Sequence, residues 1–207
     1  MSRLPPDDEI VRRAKVELRK RMRGLRNTTP ESACLERSRR IVASLLAHDS
    51  VQNARTVALF WPILARHEVD LRTLDEALRA RGVALAYPSI DADTREMTFR
   101  VVGDCAALEE RGLGFEEPPP DAPVAEALDV IIAPALATEP RGFRLGYGAG
   151  FYDRAMPAWS PPAVTIAVCF EFQLLVELPV GEGDVPVQWI VTDARVMRAE
   201  NAPLDRP

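Results

Sequence analysis

Apolar positions recur at near-helical spacing through the first quarter of the chain and as short continuous runs after it. Ile10, Ala14, Leu18, Met22 and Leu25 predict a helix reaching about Arg26, with Asp7 and Asp8 placed to cap it. Thr28 and Glu31 have capping-box spacing, Pro30 is tolerated in a first turn, and a second helix is expected to about Ala47. TVALFW (56–61) is a β-rich run stopped by Pro62, and Asp70 then caps a helix through Ala80 with Gly82 as its stop. VALAY (83–87), ended by Pro88, reads as the next strand, and MTFRV (97–101) alternates as a half-buried strand does. DVIIAPALA (129–137) is continuously apolar, the mark of a central strand covered on both faces. AVTIAVCF (163–170) is another buried strand, and QWIVT (188–192) is expected to be the last. The Gly/Pro-rich stretch from Gly112 to Pro123 reads as irregular loop. Strands alternating with helices predict an α/β chain in α/β/α layers, a single domain over 1–207 with residues 1–8 and 199–207 frayed.

Composition narrows the function classes. No apolar run approaches the roughly 20 residues that span a bilayer, and the first fifteen residues hold no apolar segment of a signal peptide, so the expectation is a cytoplasmic protein without a membrane partner. Cys34, Cys105 and Cys169 are far apart, which is neither a disulfide framework nor a zinc spacing, and His48 and His67 are too few for an imidazole-rich metal site. The net charge of −5 is uneven: residues 1–26 carry nine Lys/Arg against four Asp/Glu. A basic first helix on an acidic body suits a local anionic ligand better than a nucleic acid; a merely solvated helix face is the plainer reading of the same residues. Lys15 and Arg19 share one face at i, i+4 and suit a common anion, whereas the other arginines of the helix are expected to face solvent.

The most informative stretch is Gly142 to Arg154. Gly146, Gly148 and Gly150 alternate just after the apolar strand, so backbone N–H groups can approach an anion there. No Gly-Lys-Ser/Thr follows, and the third glycine of a dinucleotide fingerprint would fall on Phe151, so this is neither a P-loop nor a Rossmann turn. Taken alone, the loop reads equally as a structural turn and Asp153 as a helix cap. Arg144 and Arg154 flank the loop and could neutralise phosphate, and Asp153 could hold the Mg²⁺ that accompanies a nucleotide.

RLGYGAGFYDR (144–154) resembles the signature of the 5-formyltetrahydrofolate cyclo-ligase family, and the similarity runs in order along most of the chain. Lys15-x-x-x-Arg19, with Leu18, resembles the family's N-terminal phosphate-contacting element. FWPILARHEVD (60–70) resembles the segment whose glutamate, here Glu68, meets the folate; MTF (97–99), GFEEP (114–118), Gln173, Pro179, Asp184 and WIVT (189–192) match weaker landmarks. The resemblance implies a three-layer α/β/α sandwich around a mixed, mostly parallel sheet. It implies ATP on Lys15, Arg19 and Arg144, Leu145, Gly146, Tyr147, Gly148, Ala149, Gly150, Phe151 and Tyr152. Asp153 and Asp184 would hold Mg²⁺, and Arg144 and Tyr152 would be catalytic. The reduced folate would meet Glu68, Trp61, Phe99 and Tyr152 in a monomer or weak homodimer without nucleic acid. In that family ATP activates the formyl oxygen of 5-formyltetrahydrofolate, and 5,10-methenyltetrahydrofolate, ADP and phosphate result. Thr138-Glu139 depart from the family's usual Phe-Asp, Ala149 stands where Gly is frequent, Gly183 replaces a frequent His, and the stretch between Phe60 and Glu68 is slightly longer. Those departures leave open a paralogue that binds nucleotide or folate without turnover.

Overall fold

The computed structural model describes residues 6–202. Its helices are α1 (Pro6–Asn27), α2 (Glu31–Ala47), α3 (Asp49–Gln52), α4 (Arg72–Ala80) and α5 (Phe151–Ala155). Its strands are β1 (Thr56–Ala58), β2 (Ala84–Ile90), β3 (Met97–Val101), β4 (Glu109–Glu110), β5 (Glu116–Glu117), β6 (Val130–Pro134), β7 (Ala137–Thr138), β8 (Arg144–Leu145), β9 (Val164–Val168), β10 (Trp189–Val191) and β11 (Val196–Arg198). Seven of them form one sheet in the order β11-β10-β9-β6-β1-β2-β3, parallel from β10 to β2 and antiparallel at both edges. This is the mixed, mostly parallel sheet expected.

Strand alternation splits the core between two faces. Val57, Leu59, Leu85, Val130, Ile132 and Ile166 point to one face with α2, α3 and α4, and Ile41, Leu45, Val51, Leu74 and Leu78 fill that layer. Ala58, Ala86, Ile131 and Ala167 point to the other, beneath Met156, Trp159, Ala125 and Leu128. That second layer is thin, built from α5 and loops, and small side chains let it lie close to the sheet. Burying each large aliphatic of β6 contributes about 1.5–3 kcal/mol, so the central strand anchors both layers.

Several local expectations are corrected. Helix α1 begins at Pro6, so Asp7 and Asp8 lie in its first turn, and its inward stripe is Val11, Lys15, Leu18, Arg19, Met22 and Arg26, with Ile10 and Leu25 exposed. The capping box is absent: α2 has Pro30 at its N-cap without a side-chain bond, and the Thr28 hydroxyl donates to Leu25 O at the end of α1. The N-cap of α4 is Leu71, not Asp70, which sits one residue earlier and accepts from the Arg72 N–H at 3.1 Å, while Val83 N–H closes back onto Leu78 O past Gly82. Pro88 does not end β2. Ala84 N–H and Ala86 O face β1, so the alternation points the Pro88 nitrogen the same way, past the last β1 pair, where no ladder donor is needed. Residues 109–117 carry the β4–β5 hairpin, pinned because buried Glu117 accepts from Ile90 N–H (2.7 Å). The last strand is β11, not β10. Of the ends expected to fray, 1–5 and 203–207 lie outside the described residues; Ala199 and Glu200 N–H groups are bonded to Gln188 O and Pro140 O.

Candidate active site

Consecutive parallel strands leave β1 in opposite directions, β2 on one side and β6 on the other, so the crevice beyond their carboxyl ends is a topological switch point. A cavity of about 460 Å³ lies there, walled by Phe60 and Trp61 after β1, Pro88 and Ile90 of β2, and Pro134 to Leu136 at the end of β6. Helix α1 and residues 144–153 close it. The residues expected at the site line it except Phe99 and Arg154; Arg154 turns away and donates to Ala149 O at 2.9 Å.

At one end the charges are concentrated. Lys15 donates to Asp184, and Arg19 Nε donates to Gly146 O at 2.9 Å. Gly148 has φ +109°, and a Cβ there would sit 3.3 Å from Arg19 Cζ, so the guanidinium lies directly against the glycine loop. Arg144 donates through Nη2 to Asp153 Oδ1 at 3.0 Å, and the Val185 N–H donates to the same oxygen at 3.2 Å. Asp184 precedes Val185, and the two carboxylates expected to hold metal both line the cavity. Each has a side chain one-fifth exposed. No cluster of three or more His, Cys, Asp and Glu side chains suited to a metal exists among the described residues. Magnesium does not need one, since it is usually bound by one or two carboxylates together with phosphate oxygens and water, and two acidic side chains beside three cations fit that habit. Burial lowers the Arg144 and Arg19 pKa values, with Asp153 and Asp184 acting in the opposite sense on both.

Glu68 marks the other end. It is 6% exposed, its Oε2 accepts from Ile63 N–H at 2.9 Å, and its Oε1 accepts from the Tyr147 hydroxyl. Arg26 donates to that hydroxyl and lies 3.9 Å from Glu68 Oε1. Burial first, then Glu68, pushes the Tyr147 hydroxyl up to about 12, so it stays a donor at neutral pH. Trp61 lines the wall and packs edge-on against Tyr87, its ring centroid 6.3 Å away. Between the two ends, Arg144 stacks over the Tyr152 ring at 5.3 Å. Arg144 Nε and the Tyr152 hydroxyl are both buried and have no hydrogen-bond partner among the described residues. Orphaned polar atoms on a cavity wall are what a ligand would satisfy. Phe99 is corrected: it is fully buried beneath the site, with Tyr152 at 6.2 Å and Trp159 at 6.0 Å, so it supports Tyr152 from below.

Sequence reading missed Arg26, Leu113 and Phe115. Arg26 is 3% exposed, not solvent-facing, and the spacing 15, 19, 22, 26 that continues the Lys15–Arg19 face could have found it. Leu113 and Phe115 line the cavity from the β4–β5 hairpin, where Glu110 Oε1 folds the tip by accepting from the Gly112 and Gly114 N–H groups. Thr138 and Glu139 do not line the cavity; Thr138 Oγ1 lies 3.2 Å from Cys169 Sγ and Glu139 pairs with Arg141.

The 5-formyltetrahydrofolate cyclo-ligase family profile matches residues 11–193. The chain is 30% identical over 185 residues to the 5-formyltetrahydrofolate cyclo-ligase of Escherichia coli, covering 86% of this chain and 98% of that protein. It is 44% identical over 85 residues to the Mycolicibacterium smegmatis protein of that name, a match covering 40% of this chain and 44% of the relative. The NMR structure of Aquifex aeolicus 5,10-methenyltetrahydrofolate synthetase superposes with a TM-score of 0.78 at 27% identity, covering 93% of this chain and 96% of that one.

Proposed function

This chain belongs to the 5-formyltetrahydrofolate cyclo-ligase family, and we propose that it closes 5-formyltetrahydrofolate to 5,10-methenyltetrahydrofolate at the expense of ATP, with Mg²⁺ as the accompanying cation. The observation that carries this reading is the division of one cavity. A cationic, glycine-lined end and a buried carboxylate end are joined by the unpartnered Arg144 Nε and Tyr152 hydroxyl.

The chemistry asks for that division. The formyl oxygen takes the γ-phosphoryl of ATP, N10 of the folate attacks the activated carbon, and phosphate leaves as the ring closes. Phosphoryl transfer needs positioned cations more than covalent help. Lys15, Arg19, Arg144 and the N–H groups of the glycine loop bind and orient the phosphates. Asp153 and Asp184 would hold Mg²⁺, which supplies compact positive charge to the phosphate oxygens. Glu68 accepts from the amino-pyrimidine edge of the pterin, whose adjacent N–H donors would otherwise be buried unmet at about 1–3 kcal/mol each. The apolar walls of Trp61, Ile63, Leu113 and Phe115 exclude water around the ring.

Two observations favour this over the alternatives. Lys15, Arg19 and Arg26 all turn into the cavity, so the inward charge of α1 is not a nucleic-acid track. Thr138 and Glu139, the departures that suggest a silent paralogue, lie away from the cavity. Steady-state kinetics of Lys15→Ala and Glu68→Ala test the reading. Lys15→Ala raises KM for ATP much more than KM for folate, and Glu68→Ala does the reverse; equal effects on both substrates from either variant would contradict the two-ended site.

A further inference from the structure

Six cations line the cavity, and three have partners at the phosphate end: Lys15 with Asp184, Arg19 with Gly146 O, and Arg144 with Asp153. Arg66 and Arg95 lie over the rings of Tyr147 and Phe151, and Arg26 turns to Glu68. It leaves α1 one turn after Met22, which is buried with Leu136, Leu145 and Leu178 and so fixes that stretch of helix against the body. Its side chain is 4% exposed, its guanidinium lies 5.7 Å from the Tyr147 ring centroid, and its backbone carbonyl is 3.2 Å from His67 Nδ1.

We infer that Arg26 is a positioning residue for the folate carboxylate, holding Glu68 and the Tyr147 hydroxyl in place from α1 without taking part in phosphate binding. This rests on the reading of Glu68 given above. A buried carboxylate facing a ligand needs a fixed orientation, and the two Glu68 oxygens are held separately. Ile63 N–H holds Oε2, and the Arg26–Tyr147 pair holds Oε1. The pterin donors must share Oε1 with Tyr147, so the position of that hydroxyl sets how much of the oxygen is available. Arg26 donates to the hydroxyl oxygen, which leaves the Tyr147 proton directed at Glu68. Arg66 stacks on the same ring at 5.2 Å but its guanidinium is outside ion-pair range of Glu68, so it cannot replace Arg26.

The test is steady-state kinetics on Arg26→Met, Arg26→Gln, Arg26→Lys and Glu68→Gln, and on Arg26→Met combined with Glu68→Gln. Arg26→Met and Arg26→Gln are expected to raise the folate KM about tenfold or more while the ATP KM stays within about twofold, as when a buried acceptor loses its charge partner. Arg26→Lys recovers part of the loss, and on the Glu68→Gln background Arg26→Met adds little, because both act through one carboxylate. A parallel rise of both KM values in Arg26→Gln, or additive effects in the double variant, overturns the inference. A normal folate KM in Arg26→Gln beside a raised one in Glu68→Gln overturns it too and leaves the Glu68 reading standing. A normal folate KM in Glu68→Gln removes that reading and the inference together.

Discussion

At the scale of single residues, the site is a set of charges held for a purpose that the protein alone does not complete. Asp153 uses Oδ1 for both Arg144 and the Val185 N–H, and Oδ2 makes no hydrogen bond among the described residues. Removing the charge by Asp153→Asn keeps the shape and the Arg144 contact but withdraws a hard oxygen ligand. Turnover should then need about tenfold more Mg²⁺ or beyond, with partial recovery in excess metal, a loss of the size seen when one metal-site partner is disturbed. A metal titration checks this, and an unchanged Mg²⁺ requirement would take Asp153 out of the cation site. Residue identities at this end were legible from the glycine loop and the family resemblance. Arg26 was not, because an arginine on an amphipathic helix reads as solvent-facing until the helix has something to turn towards. Phe99 was misplaced for the complementary reason: alternation says which face of β3 a side chain takes, but not whether a second layer covers that face.

The elements show where local rules compete. Thr28 and Glu31 have the spacing of a capping box, yet α1 and α2 are so close in sequence that the Thr28 hydroxyl satisfies a carbonyl of the preceding helix instead. Pro88 stops a strand in principle, but its missing donor would have faced the side where β1 had ended. The Gly112–Pro123 stretch looks irregular because the features that order it, Glu110 and Glu117, accept from backbone groups rather than make an apolar pattern. Two glycines near the site separate stability from function. Gly142 has φ +94°, and a Cβ there would run into Val187 O and lie 2.8 Å from Ala199 Cβ. Gly142→Ala should cost about 2–4 kcal/mol, combining left-handed strain with overpacking against backbone. Gly148→Ala meets the movable guanidinium of Arg19 instead, so it should lose less stability and raise the ATP KM. Denaturant melts and ATP kinetics of the two variants separate these outcomes; equal stability losses with normal ATP kinetics would mean that the Arg19 contact has no role in phosphate binding.

Over the whole molecule, the layer order was readable because alternation of apolar strands with helices leaves few architectures, while the edges were not. Strand β11 and the β4–β5 hairpin are only two or three residues per strand, too short to show an alternating pattern, and each pairs with a strand a few residues away. The position of the site follows from the sheet: reversal of strand order beside β1 opens the crevice, α1 and the 144–153 segment concentrate cations at one end, and the segment after β1 places Glu68 at the other. Of the nine basic residues in the first 26, Lys15, Arg19 and Arg26 form one wall of that crevice. The central claim is that this cavity spends ATP to close a reduced folate. Incubating the purified protein with 5-formyltetrahydrofolate, with and without ATP and Mg²⁺, and following methenyl product spectroscopically against ADP released tests it directly. The account predicts product only when both are present, one ADP for each ring closed; product without ATP, or ADP release without methenyl product, would contradict it.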